Sequence, residues 1–156
     1  SSQSRGLGDV YKRQLLNNTD IYSSVITKNK LIIIVCDNGG YAVINRLQLF
    51  KGGKEYNNLL KSSNVPGLVD VDFAKHAESM GAKSEHVNSI SDLEAAFKRA
   101  KASDVTYVIS IKTHAYKWVE GSAFWDSPTL EIPKTKENEE ALKLYKEGKG
   151  KQRQGV

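Results

Sequence analysis

Apolar positions along the 156-residue chain fall in short blocks separated by polar, glycine-marked stretches, and the spacing inside each block indicates an element. Leu15, Leu16, Ile21, Tyr22, Val25 and Ile26 recur close to i, i+4, which predicts an amphipathic helix over residues 19–27 with Asn18 as its N-cap. The unbroken run from Leu31 to Val35 is rich in β-branched residues and too short for a helix, so it reads as a strand buried on both faces of a parallel sheet. Ala42, Val43, Ile44 and Leu47 predict a short helix after it. Val71, Phe73, Ala74, Ala77 and Met80 predict another, capped by Asp70 or Asp72 and stopped by the left-handed conformation that Gly81 allows. Residues 83–87 read as a short strand. Ser91-Asp92-Leu93-Glu94 reads as a capping box opening a helix that runs to Ala102, with Leu93, Ala96, Phe97 and Ala100 on its buried side. Residues 105–111 form the next buried strand. Strands alternating with helices imply right-handed βαβ crossovers, hence an α/β fold: a parallel sheet with helices on both faces, in flavodoxin-like layering.

The segments without periodicity complete the outline. Residues 51–67 are polar and punctuated by Gly52, Gly53 and Gly67, and are expected to form a long solvated loop. His76, inside its helix beside Lys75 and Glu78, reads as structural. Both tryptophans, Trp118 and Trp125, lie in an aromatic segment with His114, Tyr116, Phe124, Gly121, Pro128 and Pro133, and such side chains need a surface to cover. Residues 131–156 read as a charged helix fraying into a basic tail. Residues 1–14 have no periodicity, and Asp9-Val10-Tyr11-Lys12-Arg13-Gln14 resembles one reading frame of a transposase adapter used in preparing sequencing libraries. They are read as a foreign, disordered segment, with a natural leader as the alternative, and 15–130 as the domain proper.

Composition narrows the partners. A hydrophobic content of 39% suits one globular domain with a core. The single cysteine, Cys36, precludes an internal disulfide framework and suits a reducing cytoplasm. No apolar run approaches the roughly 20 residues of a membrane helix, so no membrane partner is expected. The net charge of +5 is dispersed: Arg5, Lys12 and Arg13 face only Asp9 at one end, and seven Lys or Arg face five Glu in residues 131–156. Without a concentrated basic patch in the middle, nucleic acid is not an expected partner either.

The candidate chemistry is at Cys36-Asp37-Asn38-Gly39-Gly40, where the first strand ends. Two glycines allow positive φ and close approach of a ligand, while Asp37 and Asn38 offer hard oxygens at the carboxyl end of a strand, where open α/β sheets bind ligands. The same residues also suit a plain βα turn.

Asp37-Asn38-Gly39-Gly40-Tyr41 after a hydrophobic strand resembles the distal half of the thiamine diphosphate motif, which begins Gly-Asp-Gly and ends in an Asn pair. Together with NNTDIYSSV (17–25), YAVINRLQ (41–48) and VDFAKHAESMGA (71–82), matched in order, the chain from Leu15 onward resembles the C-terminal part of the trihydroxycyclohexane-dione hydrolases, a thiamine diphosphate-dependent family of inositol breakdown. The resemblance implies thiamine diphosphate and Mg2+ as cofactors, with Asp37, Asn38, Gly39, Gly40 and Tyr41 at the cofactor. It makes the Asn38 side-chain oxygen and the Gly40 main-chain carbonyl two of the magnesium ligands and, by placing the region after the metal loop near the active-site mouth, makes Asn57, Asn58 and Lys61 conceivable polyol contacts. Asp37 fills the first place of the Asn pair, a departure that leaves Asn38 in position. By the family's spacing the Gly-Asp-Gly half would fall at Tyr11, inside the foreign segment, so the sheet is expected to be incomplete, with an exposed apolar edge that promotes aggregation or oligomerisation.

The implied reaction is hydrolysis of the ring carbon–carbon bond of a cyclic polyol dione to 5-deoxyglucuronate, with the cofactor as electron sink. The implied partners are that small molecule, a glutamate-bearing pyrimidine-binding domain of the same or a second subunit, and further copies in a homo-oligomer. No catalytic residue is expected in this chain, which should bind magnesium weakly and be inactive alone. An acetolactate synthase-like carboligase and a non-enzymatic flavodoxin-like binding module are the alternatives.

Overall fold

The computed structural model describes residues 18–63, 70–117 and 129–152. Residues 1–14, Leu15, Leu16, Gly67, Trp118, Gly121, Phe124, Trp125, Pro128 and the end of the tail lie outside them. Strands β1 (Ile32–Asp37), β2 (Lys83–Val87) and β3 (Tyr107–Lys112) form one parallel sheet in the order β1-β3-β2. The central place goes to the strand best able to be covered twice. Tyr107, Val108, Ile109, Ser110 and Ile111 are all buried, whereas β2, with the sequence KSEHV, buries only Val87. The register pairs Ile32 with Tyr107 and Asp37 with Lys112 on one side, and Lys83 with Tyr107 on the other.

Alternation along β3 separates two cores. On one face Val108 and Val35 pack with Ile21 of α1 (Asn18–Ile26), with Phe73 and Ala77 of α3 (Phe73–Glu78), and with Ala82. On the other, Tyr107, Ile109 and Ile111 pack with Val87 and with Ala96 and Ala100 of α4 (Ile90–Ala102). Alanine at both contact positions lets the α4 backbone come close to the large side chains of the sheet. The expected α/β layering with helices on both faces is therefore the architecture found.

Several expectations change in detail. The first strand is not buried on both faces: Ile34 is 40% exposed and Cys36 is exposed, while Val35 and Asp37 are buried. β1 stands at the edge of the described sheet, and on that face only Ile32 packs against the α4 core. The helix cap sits two residues earlier than the sequence motif, and among the described residues it is a side-chain cap without the reciprocal bond of a capping box. Ser89, not Ser91, caps α4: its Oγ accepts from Asp92 N at 3.1 Å and donates to Asp92 Oδ2 at 2.6 Å. Asp72 caps α3 by accepting from Lys75 N at 3.0 Å, and Gly81 takes φ +85° beyond its end. Asp70, the other cap candidate, pairs with Lys112 instead.

The helix after β1, α2 (Ala42–Phe50), does not bury its largest apolar residues. Ala42 and Asn45 are buried, whereas Ile44, Leu49 and Phe50 are exposed. Residues 51–60 and α5 (Lys136–Gly150) hold it in place: Asn138 Nδ2 of α5 donates to Gly52 O at 2.8 Å, and Lys51 Nζ lies 5.2 Å from the Tyr145 ring centre. No helix among the described residues is long and apolar enough to cross a membrane.

Candidate cofactor site at the carboxyl end of the first strand

Asp37 ends β1 and its side chain is almost wholly enclosed, with 1% of its surface exposed. A buried carboxylate is costly unless its oxygens are engaged; here, among the described residues, Oδ1 accepts a hydrogen bond, while Oδ2 makes none and is held by an ion pair alone. Oδ1 accepts from Gly39 N at 3.0 Å, and Oδ2 pairs with Lys112 Nζ at 2.5 Å. Lys112 is the register partner of Asp37 on β3, and its Nζ also reaches Asp70 Oδ1 at 3.0 Å and Oδ2 at 3.1 Å. Partial burial pulls the ammonium pKa down, but the bonds and charges of Asp37 and Asp70 outweigh this and raise it above its ordinary value.

Beyond Asp37 the chain turns on two glycines, Gly39 at φ +77° and Gly40 at φ +150°. Asn38 Oδ1 folds back to accept from Gly40 N at 3.2 Å, an Asx turn. The glycines differ in what surrounds them. Among the described residues a Cβ on Gly39 would meet no heavy atom within 4 Å, whereas one on Gly40 would stand 2.4 Å from Asn58 O and 2.9 Å from Leu59 Cα.

That close approach comes from residues 51–63, which are more ordered than a plain solvated loop. Gly40 and Leu59 form an isolated antiparallel bridge flanked by Tyr41 N to Asn58 O at 2.6 Å and Leu60 N to Gly39 O at 2.9 Å. Leu59, 2% exposed, anchors the segment, and a single 3-10 turn, Leu60–Ser62, follows. Asn58, a conceivable ligand contact in the sequence, is occupied at both ends: its carbonyl holds Tyr41 and its Nδ2 donates to Gln48 Oε1 at 2.5 Å. Asn57 is exposed at φ +52°, and Lys61 Nζ lies 4.1 Å from the Tyr116 ring centre.

Tyr41 leads directly into α2, whose first turn has no side-chain cap. One turn on, Asn45, 1% exposed, donates Nδ2 to Glu55 Oε1 at 3.0 Å. Hydrogen bonds from Tyr116 and then Asn45, with the charge of Lys61, hold the Glu55 carboxyl below its ordinary pKa against a smaller opposing effect of burial. A cleft of about 320 Å³ opens beside this group, lined by Asn45, Arg46, Leu49, Phe50, Ala115 and Tyr116.

All five residues singled out in the sequence, Asp37 to Tyr41, thus lie on one turn, with Asn38 and Gly40 joined by a hydrogen bond. His76 lies in α3, half-buried. Sequence reasoning missed Lys112, Leu59, Asn45 and Glu55. A lysine closing an otherwise apolar strand was a visible signal for Lys112. For the other three no local pattern existed. Among the described residues no three His, Cys, Asp or Glu side chains gather as a metal cluster. The hard oxygen donors at the turn are the Asn38 amide and main-chain carbonyls.

Comparison with known proteins bears on this turn. The family model described as "Thiamine pyrophosphate enzyme, C-terminal TPP binding domain" matches residues 15–111. A 3D-(3,5/4)-trihydroxycyclohexane-1,2-dione hydrolase of Bacillus licheniformis is 29% identical over 133 residues, which is 85% of this chain and 20% of that protein. One from Lacticaseibacillus casei is 31% identical over 120 residues, 76% of this chain and 18% of that protein. The chain therefore spans about a fifth of the length of the curated relatives it matches. Among solved structures, a thiamine diphosphate-dependent 4-hydroxybenzoylformate decarboxylase of Rhodococcus jostii RHA1 superposes with a TM-score of 0.53 at 25% identity, covering 67% of this chain and 18% of that one.

Proposed function

Since the chain belongs to the thiamine pyrophosphate enzymes, through their C-terminal TPP binding domain, we propose that it forms part of a hydrolase that opens the ring of trihydroxycyclohexane-1,2-dione. The product is 5-deoxyglucuronate, in myo-inositol catabolism. The substrate assignment is supported by the name these relatives share, at 28–29% identity over 84–85% of this chain.

In this reading the turn Asp37–Tyr41 would receive the diphosphate end of the cofactor, and the Asn38 amide oxygen and Gly40 carbonyl would be ligands to Mg2+. The observation that carries it is the contrast between the two faces of the turn. Gly40 is pinned against residues 58–59 while no heavy atom of the described residues stands near the bare side of Gly39, which leaves room for a ligand against the main chain. The donors fit the ion chemically, since magnesium takes oxygen ligands. No hydrogen bond among the described residues is directed to the Gly40 carbonyl, and Asn38 Oδ1 has a second lone pair beyond its bond to Gly40 N.

Thiamine diphosphate supplies an electron sink for cleaving a bond next to a carbonyl. This chain's part is to bind and orient. Asn38 and Gly40 would hold the cation, α2, whose first turn has no side-chain cap, begins directly after the loop, and Leu59 and Asn58 hold the loop's shape. No catalytic residue is assigned to it. We infer that the glutamate activating the cofactor belongs to a pyrimidine-binding domain of the same or a second subunit in a cytoplasmic homo-oligomer, and that this chain alone is inactive.

Calorimetric titration of Mg2+ with thiamine diphosphate into the chain is expected to give weak binding that Asn38→Ala abolishes. Micromolar uptake, at about 8 kcal/mol of binding free energy, contradicts the prediction that further ligands lie outside this chain. Assay of the full-length enzyme on the cyclic dione against pyruvate separates the hydrolase from a carboligase. Turnover of pyruvate alone sinks the substrate assignment.

A further inference from the structure

We propose that Asp37, Lys112 and Asp70 form a positioning device for the Asn38–Gly40 turn, in which Lys112 is required because the group holding the Gly39 amide is a buried carboxylate rather than an amide. The link to cation binding rests on the function proposed above. The device itself rests on geometry alone.

Asp37 Oδ1 accepts from Gly39 N, which fixes the left-handed residue of the turn and leaves Asn38 to close the second half by accepting from Gly40 N. A charged acceptor makes the first of these bonds stronger than an amide oxygen would. Its disadvantage is a negative charge with 1% exposure, and the oxygen not facing Gly39 meets Lys112 Nζ at 2.5 Å. The lysine comes from the paired position on the neighbouring strand, so the sheet register itself delivers the counter-charge to the turn. Through its two contacts to Asp70, two residues before the Asp72 cap of α3, the same ammonium joins the end of β1, the end of β3 and the entry to α3. Both Asp37 oxygens are engaged inside the protein, so Asp37 acts on a bound cation or diphosphate through the shape of the turn. It is a positioning residue.

The test is residue-resolved hydrogen exchange of the Gly39 and Gly40 amides in the full chain, with no metal or cofactor present. Lys112→Met strands the carboxylate and is expected to speed Gly39 exchange by about tenfold or more, equivalent to about 1.4 kcal/mol of local opening. Lys112→Arg keeps the charge and should stay within about threefold of the parent. The decisive variant is Asp37→Asn with Lys112→Met: the introduced amide oxygen still accepts from Gly39 N and no charge is left alone, so exchange should return to within about threefold. A merely structural lysine predicts no such rescue. Unchanged Gly39 exchange in Lys112→Met, or a double variant as fast as the single one, overturns the proposal. If circular dichroism shows Lys112→Met unfolded, the double variant decides, because its exchange must match that of Asp37→Asn alone. Titration of the parent with Mg2+ and thiamine diphosphate is read separately. Rescue without any binding leaves the positioning device standing and removes the cofactor reading.

Discussion

Replacing Gly40 by alanine probes the contact that shapes the turn, and its neighbour provides the control. The introduced Cβ would lie 2.4 Å from Asn58 O, 2.9 Å from Leu59 Cα and 3.3 Å from Asn58 C, all main-chain atoms that cannot swing aside. Residues 58–60 must move, which breaks the Tyr41 N to Asn58 O and Leu60 N to Gly39 O bonds, together worth about 2 kcal/mol. A φ of +150° is a region that side-chain-bearing residues rarely adopt, adding about 1–3 kcal/mol. Partial withdrawal of Leu59 from its buried site adds up to about 2 kcal/mol. The expected loss is therefore about 3–7 kcal/mol, a large share of a domain stability of about 5–15 kcal/mol. Gly39→Ala meets no atom and bears only the left-handed backbone penalty of about 1–2 kcal/mol. Urea unfolding followed by far-UV circular dichroism, with matched m-values, measures both. Equal losses in the two variants, or a Gly40→Ala loss near 1 kcal/mol, would refute the claim that residues 58–60 clamp the turn.

Three further outcomes follow from the packing and the charges. Ile109→Ala empties a position with no exposed surface in the central strand and should cost about 2–5 kcal/mol in the same urea assay, against about 1 kcal/mol for Ile109→Val. Asp72→Ala removes the acceptor for Lys75 N at the start of α3 and should lower the unfolding midpoint; no change would mean the cap is redundant. The Glu55 carboxyl sits below its ordinary value of 4.5, so its contribution to stability is present above that pH and is lost as pH falls through the lower folded-state value. Glu55→Gln should thus flatten the acid limb of a midpoint-versus-pH curve below the ordinary carboxyl value of 4.5, and parallel curves for parent and variant would count against the Tyr116–Glu55–Asn45 group.

The chain's own pattern determined the elements. A run of β-branched residues, two strands at 83–87 and 105–111 and the intervening 3.6-residue stripes are local signals, and each produced an element within a few residues of the one observed. The turn was legible for the same reason: two adjacent glycines after Asp-Asn at a strand end have few other conformational uses. Tertiary structure decided everything that depends on pairing. Ser89 and Ser91 are both competent caps, and only the path of the chain entering α4 selects the first. The exposure of Ile34 and the burial of Asn45 follow from which faces are covered, which hydrophobicity along the chain does not encode. Lys112 meets Asp37 only because a parallel register aligns the ends of β1 and β3, and Leu59 reaches Gly40 only because the segment after α2 doubles back. Periodicity is a property of neighbours in sequence; a buried charge and its partner are neighbours in space, and the sheet has to form before they meet.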